Sequence, residues 1–316
     1  MGTGQASDSD LMGTGQASDT DLMGTGQAPL ASCGALFQRE LLARLPRRLV
    51  MRAKMTTDSS SARGSEYSVR VTPEDLQTAL ARALALAAAG LAAPGAAEAR
   101  IDVVPPRPPE LGDWSTTVAL RAASEPSRRL ELAEHLCAHL RCLPEVASAD
   151  IAGPGFVNIT LTPAARARAG LDIITAIDAD TGRLASAEAS TVASLQISHA
   201  AVCREDRRAR SAGITTEQVD LSSLDHPAEA RLLNALAAIP SALDRTRRLN
   251  RAEPLLTGLS EVAVAVEDWL GQCRVTPTID EDITARHASR LVLTRAAIIV
   301  LATGLRQLGA SAPERI

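Results

Sequence analysis

The sequence predicts an α+β domain followed by an all-α helical bundle, because two regions of the chain differ in their hydrophobic patterns. Residues 67–170 combine helical spacing with short β-branched runs, whereas only helical spacing continues through residues 191–316. Within the second region, Ser289–Leu308 contains no proline and includes the wholly apolar stretch Ala296–Ala302. Most of this helix must therefore contact other helices, which places it at the centre of the bundle.

The α+β region begins with a helix whose start is specified by a capping pattern. Thr72 precedes Pro73 and two acidic residues, an arrangement typical of a first helical turn. A second helix is expected to begin at Ser124 and Pro126 and to extend to about Leu143. The expected strands are Ala99–Val104, Trp114–Leu120, Val146–Ala152 and Phe156–Leu161, the last two joined as a hairpin through Gly153-Pro154-Gly155.

The remaining chain is expected to hold a linker at residues 171–190 and then helices only. Pro240 is expected to interrupt one helical pattern, because proline lacks a backbone donor and clashes with the preceding turn. Gly309 and Pro313 are expected to end the last helix, since glycine can adopt a positive φ and proline cannot continue a helix. The helices predicted before it are Thr191–Ser211, a helix capped by Asp225 that runs through Pro227 to Ile239, Ser241–Arg251 and Pro254–Cys273.

The composition predicts a globular protein without a global positive field. The chain has 316 residues, 46% of them hydrophobic, and a formal net charge of −4, so any nucleic-acid site must be a local basic patch. Its five cysteines are scattered without a paired framework, which is typical of a reducing compartment. No signal peptide and no uncharged stretch of membrane-spanning length is visible, so we expect a cytoplasmic protein without a membrane partner.

Residues 1–66 are expected to form a disordered tail. The unit Met1–Leu11 recurs with one substitution and then begins a third time, and it is too polar and too short to build a solenoid. The Arg-rich segment Leu41–Lys54 could form a targeting arm, but we favour a mis-assigned start, with translation beginning at Met51 or Met55.

Four segments of the chain resemble class I arginyl-tRNA synthetases. Gly112-Asp-Trp-Ser-Thr-Thr-Val-Ala-Leu120 and Ile151-Ala-Gly-Pro-Gly-Phe-Val-Asn-Ile159 are similar to motifs of that family's additional N-terminal domain. Leu195-Gln-Ile-Ser-His-Ala-Ala-Val-Cys203 resembles the first helix of its anticodon-binding domain, although Ile197 replaces an aromatic residue and Ala201 replaces an arginine. Gly304-Leu-Arg-Gln-Leu-Gly-Ala-Ser-Ala-Pro-Glu-Arg-Ile316 resembles the family's C-terminus.

The resemblance implies an N-terminal α+β domain at residues 67–170 and a DALR-type anticodon-binding domain at residues 191–316. In the family, the hairpin that closes the first domain contacts the outer corner of tRNA, with an aromatic ring stacking on a loop base and an amide reading its edge. Phe156 and Asn158 are the matching residues here. The alternative is that Phe156 packs inward as core and Asn158 merely lies on the same strand face.

The catalytic signatures of the family are missing from this sequence. The family carries a class I catalytic domain between the two other domains, whereas this chain has only the linker at residues 171–190. None of the five histidines stands in a His-x-Gly-His run, and Lys54 is the only lysine. Adenylate formation requires donors arranged around a triphosphate, so we predict no enzyme activity, no ATP site and no cofactor.

Two groups of arginines are candidate phosphate contacts. Arg204, Arg207 and Arg208 share one helical face, and a later helix carries arginines at steps of three, Arg245, Arg248 and Arg251. Interleaved acidic residues leave an ordinary solvated face as an equal alternative.

His135, His139 and Cys142 have spacing that zinc can use on one side of a helix. No further ligands are obvious in the sequence, so we predict a packed amphipathic helix and no metal site.

These observations lead to one functional hypothesis and two alternatives. The hypothesis is a catalytically inert paralogue of arginyl-tRNA synthetase that binds tRNA, with tRNA-Arg as first candidate, in a regulatory or delivery role. The first alternative is a helical bundle reused to bind a protein partner, which the acidic charge and the changes at Ile197 and Ala201 favour. The second is the tRNA-binding part of a split arginine-tRNA ligase whose catalytic subunit acts in trans.

Overall fold

A computed structural model of the chain describes residues 72–91, 99–107, 111–173 and 188–316. These residues form a four-stranded antiparallel sheet with helices packed against it, followed by a helical bundle. The predicted α+β and all-α regions are therefore confirmed. The predicted tail at residues 1–66 and most of the predicted linker lie outside the described residues.

The sheet region follows the predicted order with one additional short helix. Its strands are arranged β1-β2-β4-β3, and every neighbouring pair is antiparallel. The hairpin of β3 and β4 has the predicted bounds, and Ala152 pairs with Phe156 across its turn. The elements are α1 (Pro73–Leu91), β1 (Val103–Val104), β2 (Trp114–Thr116), α2 (Val118–Ala122), α3 (Pro126–Arg141), β3 (Val146–Ala152), β4 (Phe156–Leu161) and α4 (Pro163–Leu171).

Two of the predicted strands are shorter than expected. Val118 begins α2 instead of continuing β2, because its N–H donates to the Thr116 hydroxyl at 3.2 Å and so leaves the strand ladder. Residues 99–102 do not belong to β1. The Arg100 carbonyl instead accepts a hydrogen bond from the guanidinium of Arg121 at 3.2 Å. In both places a side chain forms a hydrogen bond with a backbone group that a longer strand would need for pairing with its neighbour.

The helical region contains α5 (Ala189–Ser211), a 3₁₀ turn (Leu221–Ser223), α6 (Pro227–Leu249), α7 (Glu253–Gln272) and α8 (Ala285–Gln307). The predicted break at Pro240 is wrong, because α6 continues through it. Ile239 and Leu243, on either side, are buried in the bundle core, and this packing outweighs the missing proline donor. The predicted cap at Asp225 is also wrong: the His226 ring accepts the Ala228 N–H at 3.2 Å.

The helix α8 occupies the centre of the bundle, as predicted. Leu291, Val300 and Leu301 have no exposed surface, and Gly309 beyond its end adopts a φ of 75°. The helix is long and apolar enough to cross a membrane, but 89% of its most apolar window is buried inside the protein. It is therefore the core helix of the bundle, packed chiefly against α5 and α7.

The sheet region and the bundle are packed directly against each other. Alternate residues of α4 enter different cores: Ala165 and Ala169 belong to the sheet core, whereas Ala167 belongs to the bundle core. A Cβ atom at Gly170 would lie 2.7 Å from the carbonyl oxygen of Leu233, so α4 and α6 are in backbone contact. The helix α4 therefore joins the two regions.

Candidate nucleic-acid interface

The carboxylate of Asp113 connects the two regions. It accepts hydrogen bonds from the Arg166 guanidinium at 2.7 and 2.9 Å, from the Leu161 N–H at 2.7 Å and from the Asn234 amide of α6 at 2.8 Å. Asp113 is only 4% exposed, and a buried charge is tolerated when it is paired and hydrogen-bonded in this way. This carboxylate therefore fixes the bundle against the sheet.

Gly112 places Asp113 in this position. Its φ is 127°, a conformation that other residues rarely adopt, and an added Cβ atom would lie 2.9 Å from the Ile159 carbonyl oxygen. That same carbonyl accepts the Asp113 N–H at 2.9 Å. The Gly-Asp pair of the sequence motif thus has a structural role that sequence analysis missed, since its partner Asn234 is distant along the chain.

A cleft of about 1120 Å³ lies between the sheet and helices α6 and α7. The strands contribute Trp114, Ser115 and Asn158 to its lining, and α6 contributes Ser241 and Arg245. Small-molecule sites in proteins usually have volumes of roughly 300 to 1,000 Å³, so this cleft is large enough to hold a ligand. Its position next to the Asp113 junction means that both regions shape it.

Phe156 and Asn158 line this cleft together. Phe156 is 37% exposed at the start of β4, whereas the next residue, Val157, is completely buried in the sheet core. The alternative that Phe156 packs inward is therefore wrong. Asn158 is 5% exposed. The structure thus presents an accessible ring and the Asn158 amide in one cleft, on the strand where the sequence placed both.

The first arginine group is neutralised in part by its neighbours. Arg204 and Arg208 both contact the Glu205 carboxylate, at 3.5 and 2.8 Å, and Arg207 donates to the Glu314 carbonyl at 3.2 Å. Arg204 and Arg208 are exposed at the end of α5. Their assignment to tRNA binding stays a prediction.

The arginines of the second group, Arg245, Arg248 and Arg251, do not lie in one site. Arg245 lines the cleft, whereas Arg248 is exposed on α6 without contributing to its lining, and Arg251 follows α6 and pairs with Glu253 at 3.2 Å. Of these three arginines, only Arg245 therefore shares a site with Phe156 and Asn158. No sequence pattern indicated this, because the contact depends on how the bundle docks on the sheet.

The three residues whose spacing zinc could use, His135, His139 and Cys142, lie on α3 and directly after it. His135 and Cys142 are exposed, and the Cys142 thiol donates to the Ala138 carbonyl at 3.3 Å. Among the described residues, no group of three or more His, Cys, Asp or Glu side chains could hold a metal ion.

A buried pair on α5 anchors the C-terminal segment. The Nδ1 atom of His199 lies 2.9 Å from the Pro313 carbonyl oxygen, and Nε2 lies 3.6 Å from the Cys203 thiol. Burial lowers the pKa of His199 and raises the pKa of Cys203 to about 12, so the thiol stays protonated. These residues belong to a motif used for the family resemblance, and their contacts indicate a structural role.

Comparison with known proteins finds a family model for each of the two regions. The family model for the arginyl-tRNA synthetase N-terminal domain matches residues 74–161, and the model for the DALR anticodon-binding domain matches residues 195–316. Similar relatives include the arginine–tRNA ligases of Renibacterium salmoninarum, 38% identical over 122 residues, and Clavibacter sepedonicus, 30% identical over 164 residues. These alignments cover 39% and 46% of this chain but only 22% and 30% of the relatives.

The fold and these matches define a chain with two regions similar to accessory domains of an aminoacyl-tRNA synthetase. Its α+β region matches the N-terminal domain model, and its bundle matches the anticodon-binding domain model. The chain is, in particular, an arginyl-tRNA synthetase-like protein. It spans less than a third of the length of the relatives just described.

Proposed function

We propose that this protein binds tRNA, with tRNA-Arg as the first candidate, and does not itself form aminoacyl-tRNA. The observation that carries the proposal is the direct packing of two domains that the family uses on tRNA, with only residues 162–194 between the matched regions. Part of this interval is α4, which packs against both cores. The interval is too short for a nucleotide-binding sheet with its helices.

The absence of ATP signatures in the sequence supports a role without catalysis. Arginine activation needs cations and hydrogen-bond donors placed around the triphosphate. No His-x-Gly-His run occurs anywhere in the chain, and its single lysine, Lys54, precedes both matched regions. We infer a regulatory or delivery role in which tRNA is held but not charged. We also infer a cytoplasmic location, which fits the free thiols of Cys137, Cys203 and Cys273.

A second candidate function is binding of a protein partner by the bundle. Ile197 replaces an aromatic residue of the family motif and is 60% exposed on α5. Val264 on α7 is 68% exposed, and the net charge of the chain is −4. These features favour an apolar contact over a phosphate contact on part of the bundle surface.

The test begins with binding of purified protein to a tRNA-Arg transcript at several salt concentrations. We expect affinity to fall with increasing salt, and replacement of Arg204, Arg207 and Arg208 by alanine should reduce the slope by up to about three. A matched triple variant at Arg82, Arg141 and Arg231 changes the net charge equally and should keep the slope. If neither triple variant differs from the parent, the α5 arginines form an ordinary solvated face.

Two further measurements separate the alternatives. Arginine-dependent exchange of pyrophosphate into ATP should not exceed that of heat-inactivated protein, and exchange above this control would contradict the non-catalytic role. Capture from cell extract, with sequencing of bound RNA and identification of bound proteins, should recover tRNA. Recovery of a protein without RNA would favour the protein-binding function, and recovery of a catalytic subunit would favour a split ligase.

A further inference from the structure

The cleft has exposed apolar side chains on its β1 side. Val104 of β1, Ser115 of β2 and Asn158 of β4 are paired in one row across three strands, and all three line the cleft. Val104 is 44% exposed, and Leu111, which lies shortly before β2, is 43% exposed and lines the same cleft. Large apolar side chains that stay this exposed within one cavity indicate a surface that another segment covers.

The chain enters the described structure at this cleft. Pro73, the first residue of α1, lines the cleft together with Val103 and Val104. Thr72 directly precedes it and is the first residue that the structure describes. The residues before Thr72 therefore start from the rim of the cleft and are tethered beside it.

The five residues before Thr72 carry a pattern that suits such a surface. They are Tyr67, Ser68, Val69, Arg70 and Val71. Apolar residues occupy every second position, which is typical of a half-buried strand, and tyrosine and valine favour strands. At about 3.3 Å per residue, six steps from Tyr67 to Pro73 span up to roughly 20 Å, enough to extend along the cleft. This segment is present from every start of translation considered above.

We propose that Tyr67–Val71, here called the strap, docks in the cleft of its own chain over Val104 and Leu111 and limits the access of RNA to the cleft. The proposal rests on the proposed function, since it names a regulation of the same site. The apolar side of the strap covers the two exposed apolar residues, and its polar side faces the helices opposite the sheet.

The charges of the cleft also suit the strap. Glu261, which α7 contributes to the lining, is exposed and forms no ion pair within the described ranges. The other two carboxylates of the lining, Asp102 and Glu253, contact arginines at 2.6 and 3.2 Å. When the apolar side of the strap faces the sheet, Arg70 lies on the side that faces α7. Glu261 is therefore a free carboxylate with which Arg70 forms an ion pair.

The strap and RNA exclude each other from the cleft. Val104 lies two strand spacings, roughly 10 Å, from Asn158 across the paired row. A nucleotide is about as wide as this distance, so RNA that reaches Asn158 displaces a strap that lies over Val104. The apparent affinity for RNA is then reduced by the fraction of molecules in which the cleft is open.

The first experiment tests docking by crosslinking within the full chain. Tyr67 is replaced by photoreactive benzoylphenylalanine, which keeps an aromatic ring at this position. Irradiation should join position 67 to a peptide that contains Val104 or Leu111 of the same molecule, as identified by mass spectrometry. Crosslinks that form only elsewhere, or none, refute the strap. Crosslinks to these residues between two molecules also refute it and assign the cleft to a second copy of the chain.

The second experiment compares binding of a tRNA-Arg transcript by variants of the full chain. Tyr67→Ser combined with Val69→Ser removes the apolar side of the strap. Binding should become stronger by about 3-fold to 10-fold, as for a cleft that is open in about a third to a tenth of the parent molecules. Ser68→Ala, on the opposite side of the strap, is the matched control and should bind like the parent.

The outcomes separate the strap from the proposed function. A double variant that binds tRNA-Arg like the parent, or more weakly, refutes the regulation by the strap. If the parent binds tRNA-Arg and no crosslink reaches Val104 or Leu111, the strap is refuted and the proposed function stands. If the crosslink forms but the parent does not bind tRNA-Arg, the proposed function fails, and the control of RNA access fails with it.

Discussion

The bundle core and the cleft differ in the groups that they contain: the bundle buries paired carboxylates, and the cleft exposes an aromatic ring. In the bundle, the buried Asp206 carboxylate contacts Arg295 at 2.9 Å, and the buried Glu229 contacts Arg290 at 2.7 Å. In the cleft, the Trp114 indole N–H is buried without a partner within the described ranges, as is the Trp269 indole N–H of the bundle core. The buried carboxylates of the bundle are thus used in folding, whereas the cleft presents the accessible Phe156 ring.

This difference predicts which residues affect the stability of the fold and which affect binding. Most side chains of α8 are buried inside the protein, so changes there are expected to lower stability before they affect binding. Phe156 is partly exposed and belongs to neither core cluster, so its removal is expected to affect binding with little effect on stability.

The largest expected effect on stability is at the junction. Asp113→Ala leaves the Arg166 guanidinium buried without its carboxylate and removes the partner of Asn234. Breaking a buried pair in this way lowers the free energy of unfolding by about 3 to 5 kcal/mol. Urea unfolding should show this loss.

The matched control is Asp225→Ala, whose carboxylate lies 3.4 Å from Arg286 at the surface. An exposed ion pair contributes about 0 to 1 kcal/mol, so the control should unfold almost like the parent. Equal losses in the two variants would mean that burial does not distinguish the junction from a surface ion pair.

A smaller effect is expected where α4 touches α6. Gly170→Ala places a methyl group 2.7 Å from the Leu233 backbone and should lower the free energy of unfolding by about 1 to 3 kcal/mol. Gly271→Ala, on α7, has no atom within 4 Å of the added methyl and should be neutral or stabilising by up to about 1 kcal/mol. Denaturant midpoints compare the two, and a neutral Gly170→Ala would show that the two regions can move apart without loss.

The smallest effect is a dependence of stability on pH inside the bundle. Burial lowers the pKa of His199 below its usual value of about 6.5, so the unfolded chain takes up a proton more readily. The melting temperature should therefore fall as the pH is lowered through about 6.5 toward the folded-state pKa. His199→Gln should reduce this dependence without abolishing it, since burial lowers the pKa of His287 in the same way. A melting temperature that rises on acidification over this range would contradict the assignment.

The sequence correctly predicted the helices and strands that are determined by residues close together in the chain. The β3–β4 hairpin follows from strand patterns around Gly153-Pro154-Gly155, and α8 follows from a long apolar segment ended by Gly309. Its errors fall where contacts between distant residues decide the structure. The helix α6 continues through Pro240 because both flanking turns pack in the core.

The candidate site was predictable only in part. Phe156 and Asn158 were identified on their strand from the motif they share with the family. Arg245 could not be assigned to the same site, because the cleft exists only when α6 docks on the sheet through Asn234 and Asp113. A periodic pattern of arginines on one helix contains no information about which of them faces another domain.

The most direct test of the central claim is the affinity of Phe156→Ala for tRNA-Arg, measured together with its melting temperature. Loss of one stacking contact should weaken binding by about 5-fold to 150-fold while the melting temperature stays that of the parent. Leu130→Ala, a change at a 42% exposed residue of α3 outside the cleft, should alter neither quantity. Unchanged affinity for Phe156→Ala, or a melting temperature lowered by many degrees, would contradict the account and remove the hairpin as a tRNA site.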